Sequence, residues 1–187
     1  MAFPQDFYWG VSTASYQIEG AHDDDGKGPS VWDSFCHAPG NVFSGHTGDV
    51  AIDHYHRYKE DVGLLKEFDV QVYRFSVSWP RVLPEGVGAA NEKGLAFYDR
   101  LIDTLLEVDI TPHLMMYHWD YPLALFRRGG WSNPDSPSWF AEYAALLADR
   151  YSDRVAHWYT LEEIAVPIGA GLYEGRHAPG IRLPFPE

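Results

Sequence analysis

Cysteine is nearly absent. Cys36 is the only one among 187 residues, so no disulfide can close within the chain, and a reducing compartment suits it. Its thiol reads as a small core residue. Cations are scarce too: 14 Lys and Arg stand against 27 Asp and Glu, leaving a formal charge of -13. A field of that sign disfavours nucleic acid and anionic membrane as partners, because both are themselves negative. No apolar stretch approaches the roughly 18 to 20 residues of a membrane-spanning helix. The start, Met1-Ala2-Phe3-Pro4-Gln5-Asp6, has no basic segment followed by an apolar run, so no signal peptide is expected and the protein reads as soluble and cytoplasmic. The nine His lack metal-ligand spacing, and neither a metal nor a cofactor is expected.

Apolar residues and aromatics are plentiful, at 45% and 16% of the chain, enough for one globular core. Most of these rings belong to that core, since each buries a large apolar area; some are candidates for stacking on the C–H face of a sugar. Four short apolar runs, Phe7 to Ser15, Val70 to Trp79, Thr111 to Trp119 and Val155 to Leu161, read as strands. Between them lie helical patterns. Tyr55, Tyr58, Val62, Leu65 and Phe68 recur at three- and four-residue spacing within Asp53 to Phe68. Leu95, Tyr98, Leu101, Ile102, Leu105 and Leu106 do so within Asn91 to Val108, where Asn91 is the expected cap. Phe140, Tyr143, Ala144 and Leu147 form a third register, with Ser136, Pro137 and Ser138 as start signals.

The order β-α-β-α-β-α-β implies parallel strands with right-handed crossovers. A doubly wound sheet would carry a Gly-rich phosphate loop after its first strand, and none is present. The fold class is therefore α/β, a (β/α)8 TIM barrel of which residues 1–187 supply the first half, about four βα units. After Glu163 the chain is a Gly/Pro-rich tail running through Gly169, Gly171, Pro184 and Pro186, with no fourth helix expected.

Polar residues gather at the C-terminal ends of the expected strands, the face that carries the active site in such barrels. Gln17 offers amide donors and an acceptor to adjacent hydroxyls. His118 and Trp119 pair a hydroxyl partner with a stacking ring. Glu162 and Glu163 are adjacent, so strand alternation lets only one face the barrel axis productively. Arg74 is suited to holding a carboxylate through a bidentate guanidinium.

These segments resemble glycoside hydrolase family 1, the β-glucosidases and their relatives. The resemblance runs through Phe7-Tyr8-Trp9-Gly10, Thr13-Ala14-Ser15-Tyr16-Gln17-Ile18-Glu19-Gly20, Gly26-Lys27-Gly28-Pro29-Ser30-Val31-Trp32-Asp33, Tyr73-Arg74-Phe75-Ser76-Val77-Ser78-Trp79-Pro80-Arg81, Tyr117-His118-Trp119-Asp120, Gly129-Gly130-Trp131 and His177-Ala178-Pro179-Gly180. It implies retaining hydrolysis of a terminal β-D-glycosidic bond. Gln17, His118 and Trp119 would hold the non-reducing sugar, Arg74 would steady the nucleophilic carboxylate, and Glu163 would be the acid/base of a Thr-x-Asn-Glu-Pro motif. The ligand would be a β-glucoside or a short oligosaccharide.

Two departures follow from the same resemblance. Glu162 and Ile164 stand where the motif has Asn and Pro, so Glu162 would take the substrate-binding place of the Asn that donates to the sugar 2-hydroxyl, as a group that only accepts when ionised. The Glu-Asn-Gly segment that brings the nucleophile is absent from these residues, so the isolated chain is expected to be inactive. A half barrel also has open edge strands. The expected partner is a complementary C-terminal half chain, or a second copy joined through those edges; a non-catalytic sugar-binding module or scaffold is the alternative.

Overall fold

The computed structural model describes residues 2–184; Met1, Pro186 and Glu187, included above in the readings of the start and the tail, lie outside them. The elements run β1 (Gly10–Ser12), α1 (Ser15–Ile18), α2 (Val31–His37), α3 (His54–Glu67), β2 (Val72–Ser76), α4 (Trp79–Val82), α5 (Glu92–Glu107), β3 (Thr111–Tyr117), α6 (Leu123–Phe126), α7 (Ser136–Tyr151) and β4 (His157–Leu161). The strands form one parallel sheet in the order β1-β2-β3-β4. This is half of a barrel wall. No helix among the described residues is long and apolar enough to cross a membrane.

Every strand begins or ends inside its expected run. β1 keeps only three residues, because Thr13 makes the last pairing contact with the Arg74 carbonyl and Ser15 already opens a helix. β2 stops at Ser76, since Trp79 and Pro80 start α4 and the proline ring presets a helical φ there. β3 stops at Tyr117, leaving His118 and Trp119 just beyond the strand.

Two residues leave the stripes assigned to them. Phe68 is 74% exposed because α3 has ended by then, and Leu106 is 40% exposed because it sits one residue, about a quarter turn, from the buried Leu105. Asn91 does not cap α5 with its side chain. Its amide instead donates to the carbonyls of Asp25 and Arg81, both at 2.9 Å, tying the preceding loop to the helix start.

The tail also differs from expectation. Pro167–Tyr173 is a π-helical segment, over which the remaining chain folds back: His177, Ile181 and Leu183 donate to the carbonyls of Ala170, Gly171 and Leu172. A Cβ on Gly171 would lie 2.4 Å from the Ala178 carbonyl oxygen. Gly and Pro, read as loop formers, here permit a close backbone approach at a helical turn.

The outer face of the sheet carries the core. Tyr73, Phe75 and Leu114 are buried beneath α3, α5 and α7 with Tyr98, Leu101, Ile102, Tyr143 and Leu147, each fully buried aliphatic side chain contributing about 1.5–3 kcal/mol. A buried ionic knot joins this layer to the N-terminal segment. Arg81 is fully buried, donates from Nε to Glu19 at 2.8 Å and lies over the Tyr55 ring, while the Tyr98 hydroxyl donates to the other Glu19 oxygen at 2.5 Å. Removing one partner from such a pair costs about 3–5 kcal/mol, because the other charge stays buried.

The inner face is open. Ser12, Arg74, His113 and His157 share one register row and, with Tyr8 and Tyr159, line a groove of about 580 Å³. Among the described residues β1 and β4 each pair along one edge only, and Trp9, Val11, Tyr159 and Leu161 are exposed there. These are the open edges expected of half a barrel.

Candidate active site

The site is built at the C-terminal ends of the strands. Gln17 rides on α1, one helical turn fixed at both ends. Ser15 anchors its start: its N–H donates to Ser76 Oγ at 2.8 Å and its hydroxyl donates to Asp120 Oδ2 at 2.8 Å. Glu19 anchors its end through Arg81. The turn therefore cannot rotate without breaking buried polar contacts, and Gln17 is held toward the mouth of the barrel.

There it meets His118 and Trp119. The three side chains line one cleft of about 300 Å³, together with Tyr16, Trp32, Cys36, His46, Thr47 and Gly48. Tyr16 and Trp32 pack at 5.7 Å, and His177 lies between Trp32 and Trp119 at 5.6 and 6.0 Å, so the wall is largely aromatic. Sequence reasoning singled out Gln17, His118 and Trp119 but not Tyr16, His46 or Thr47. Tyr16 and Trp32 lie inside quoted motifs; His46 and Thr47 come from a loop with no distinguishing pattern.

Burial lowers the pKa of His118, Arg74 acts in the same sense, and Glu162 and Glu163 oppose them. A neutral imidazole keeps one donor and one acceptor, which is what a sugar hydroxyl can use. All three charged residues thus act electrostatically on one ring. Trp119 has φ 77° and Glu163 φ 39°, a left-handed conformation that costs residues other than glycine about 1–3 kcal/mol and clusters at functional sites. Trp119 Nε1 donates to the Glu162 carbonyl at 3.1 Å, closing β3 onto β4.

Both glutamates lie beyond the end of β4, and Glu163 has a positive φ, so strand alternation does not govern them. Glu162 turns to Arg74, whose Nη1 and Nη2 donate to its two oxygens at 2.9 and 3.2 Å while Nε donates to Ser12 Oγ at 2.9 Å. Glu163 is exposed at the strand end. The carboxylate that Arg74 holds in this chain is accordingly Glu162, and both Glu162 oxygens are engaged.

Asp120 closes the same segment and was not singled out. It is fully buried; burial pushes its carboxyl up from 3.8 to about 7, against the pull of the Ser15 hydroxyl. The folded protein therefore binds this proton more tightly than the unfolded chain does. Its contribution to stability is complete below about pH 4 and is lost as pH rises through about 7. Asp120→Asn keeps an acceptor for Ser15 without the charge. Urea unfolding of both proteins across this range is expected to show the variant gaining on the parent by up to about 1.4 kcal/mol per pH unit; parallel pH profiles would remove the assignment.

The expectation that no metal-ligand set exists was drawn from linear spacing. The fold nevertheless gathers His22, His37 and Asp49, with one ligand atom of each lying within 4.8 Å of the others.

Comparison with known proteins agrees with this architecture. A 1,4-beta-D-glucan glucohydrolase of Thermotoga neapolitana is 55% identical over 180 residues, spanning 96% of this chain and 42% of the relative. Beta-glucosidase A of Thermotoga maritima is 56% identical over 180 residues, spanning 96% of this chain and 40% of the relative. The solved structure of a Thermotoga maritima beta-glucosidase in complex with castanospermine superposes with a TM-score of 0.95 at 55% identity, covering 97% of this chain and 41% of that one. The chain thus spans about two fifths of the length of these relatives, as the first four strands of an eight-stranded barrel would. The family model for glycosyl hydrolase family 1 matches residues 1–186, and the chain belongs to that family.

Proposed function

We propose that this chain supplies the sugar-binding and acid/base half of a retaining β-glucosidase site, acting on terminal β-D-glycosidic bonds of β-glucosides or short oligosaccharides once a C-terminal half joins it, within one polypeptide or as a separate chain. The observation that carries this reading is the convergence of Gln17, His118 and Trp119 on a single aromatic-walled cleft at the C-terminal strand ends. In this scheme Glu163 protonates the glycosidic oxygen as a carboxylate from the other half attacks the anomeric carbon, then takes a proton from the water that releases the sugar. The two carboxyl groups must stand about 5–5.5 Å apart. General-acid work also asks for a partly desolvated carboxyl, and Glu163 is exposed, so the covering wall belongs to the partner half. Self-association is the weaker form of closure: two copies would place their Glu163 residues four strands apart, which is not an acid-to-nucleophile relation. The unpaired Cys36 fits a cytoplasmic setting.

The test is to mix the chain with a separately produced C-terminal half and follow release of the aglycone from an aryl β-glucoside. Turnover exceeding that of either half alone is expected; its absence, with both halves folded and associated, rejects complementation.

The Arg74–Glu162 pair favours a second reading, a sugar-binding module without catalysis, because the guanidinium suited to a nucleophile is already engaged. Calorimetry with glucose and cellobiose separates the two: heat of binding with no product, in the complemented assembly, supports the module.

A further inference from the structure

We propose that His22, His37 and Asp49 form a binding site for a divalent cation of the zinc class, which fastens the outer wall of the cleft. Three separate segments contribute. His22 follows the Glu19 anchor, His37 is the last residue of α2, and Asp49 lies in the loop beyond Phe43–Gly45. His37 Nε2 and Asp49 Oδ1 are 2.8 Å apart, and one ligand atom from each of the three residues lies within 4.8 Å of the others.

The donor chemistry selects the ion. Two imidazole nitrogens and one carboxylate oxygen suit Zn²⁺ and its neighbours rather than Mg²⁺ or Ca²⁺, which prefer all-oxygen shells. Zinc bonds of about 2.0–2.2 Å arranged tetrahedrally place ligand atoms about 3.3 Å apart, so closing the site takes only side-chain rotation. The side chains are free enough for that, at 32%, 43% and 30% exposure for His22, His37 and Asp49. The hydrogen bond between His37 and Asp49 is then replaced by two bonds to the cation, with the His37 imidazole carrying its proton on Nδ1 so that Nε2 is free to ligate.

The surroundings agree. Asp23 Oδ1 lies 3.4 Å from His22 Nδ1, where a carboxylate orients a ligating imidazole and leaves Nε2 for the ion. Lys27, the nearby cation, is paired with Asp33 at 3.0 Å. An open cleft of about 250 Å³ reaches both His22 and His37, giving the ion a path and the fourth position a water. Asp49 adjoins Gly48, which with His46 and Thr47 lines the main cleft, and the Gly48 N–H donates to the Tyr16 hydroxyl at 3.3 Å. Fixing Asp49 to α2 therefore fixes that wall.

The probe is Co²⁺ titrated into the 187-residue chain stripped by a chelator, with Zn²⁺ as competitor. One Co²⁺ per chain, visible d–d absorption lost on adding Zn²⁺, and a Zn²⁺-dependent rise in Tm are expected. His37→Gln and Asp49→Asn are expected to weaken uptake by more than about 100-fold and Asp23→Asn by about 10-fold, whereas His46→Gln, outside the triad, leaves metal uptake unchanged. Far-UV circular dichroism establishes that each variant is folded. Absence of uptake at micromolar metal, uptake unchanged in both ligand variants, or an equal loss in His46→Gln would each overturn the assignment.

Discussion

Changing Glu163 to Gln in the complemented protein is expected to lower turnover of an alkyl β-glucoside by about 10²–10⁴-fold, with a much smaller loss in the first step on an activated aryl β-glucoside. The difference comes from the leaving group. An alkoxide needs a proton as the bond breaks, whereas an electron-poor phenolate departs without one. The second step suffers with both substrates, because glutamine cannot take the proton from water, so the covalent intermediate accumulates and the aryl substrate shows a burst. An added anionic nucleophile such as azide needs no base and restores turnover. Glu163 is exposed and glutamine nearly isosteric, so the folded population is unchanged. Equal losses in the first step on both substrates, or no loss on either, would falsify the acid/base role.

How much of this was legible beforehand depended on whether the signal was periodic. β2 was readable because Tyr73 and Phe75 face the helices while Val72 and Arg74 face the groove, a strict period of two. β1 was overdrawn because Phe7, apolar in the sequence, packs on Phe3 and Trp9 outside the sheet; Trp9 reaches β2 through its carbonyl, which accepts from Gln71 and Val72, and both rings remain exposed. Gln17, His118 and Trp119, which line one cleft, were singled out from motif context and strand-end position. Alternation could not separate Glu162 from Glu163, because both lie beyond β4, nor could it say that Glu162 would take Arg74, a contact that joins β2 to the segment after β4. Asp120, His22, His37 and Asp49 escaped for a related reason. Burial and three-way proximity arise from the path of the loops, and no local pattern encodes them.

The largest expected gain lies at that same contact. Glu162 fills both of its oxygens with the Arg74 guanidinium, at 2.9 and 3.2 Å, and its side chain is only 17% exposed. In a Thr-x-Asn-Glu-Pro motif the corresponding amide donates to the sugar 2-hydroxyl, an interaction that strengthens as the oxocarbenium character develops, and the arginine is left for the nucleophile. Glu162→Asn restores the donor and releases the guanidinium together. In the complemented protein, kcat/KM for a glucoside is expected to rise about 10- to 100-fold, equivalent to about 1.4–2.7 kcal/mol of transition-state stabilisation. The change also removes an ion pair whose side chains are 29% and 17% exposed, so the isolated chain loses some stability with it. A 2-deoxyglucoside divides the two contributions: freeing Arg74 improves both substrates, whereas the 2-hydroxyl contact improves only the glucoside. A gain confined to the glucoside assigns the effect to the restored donor, and a gain shared by both assigns it to Arg74. No gain on either substrate would leave the chain as a binding module whose arginine was never available for catalysis.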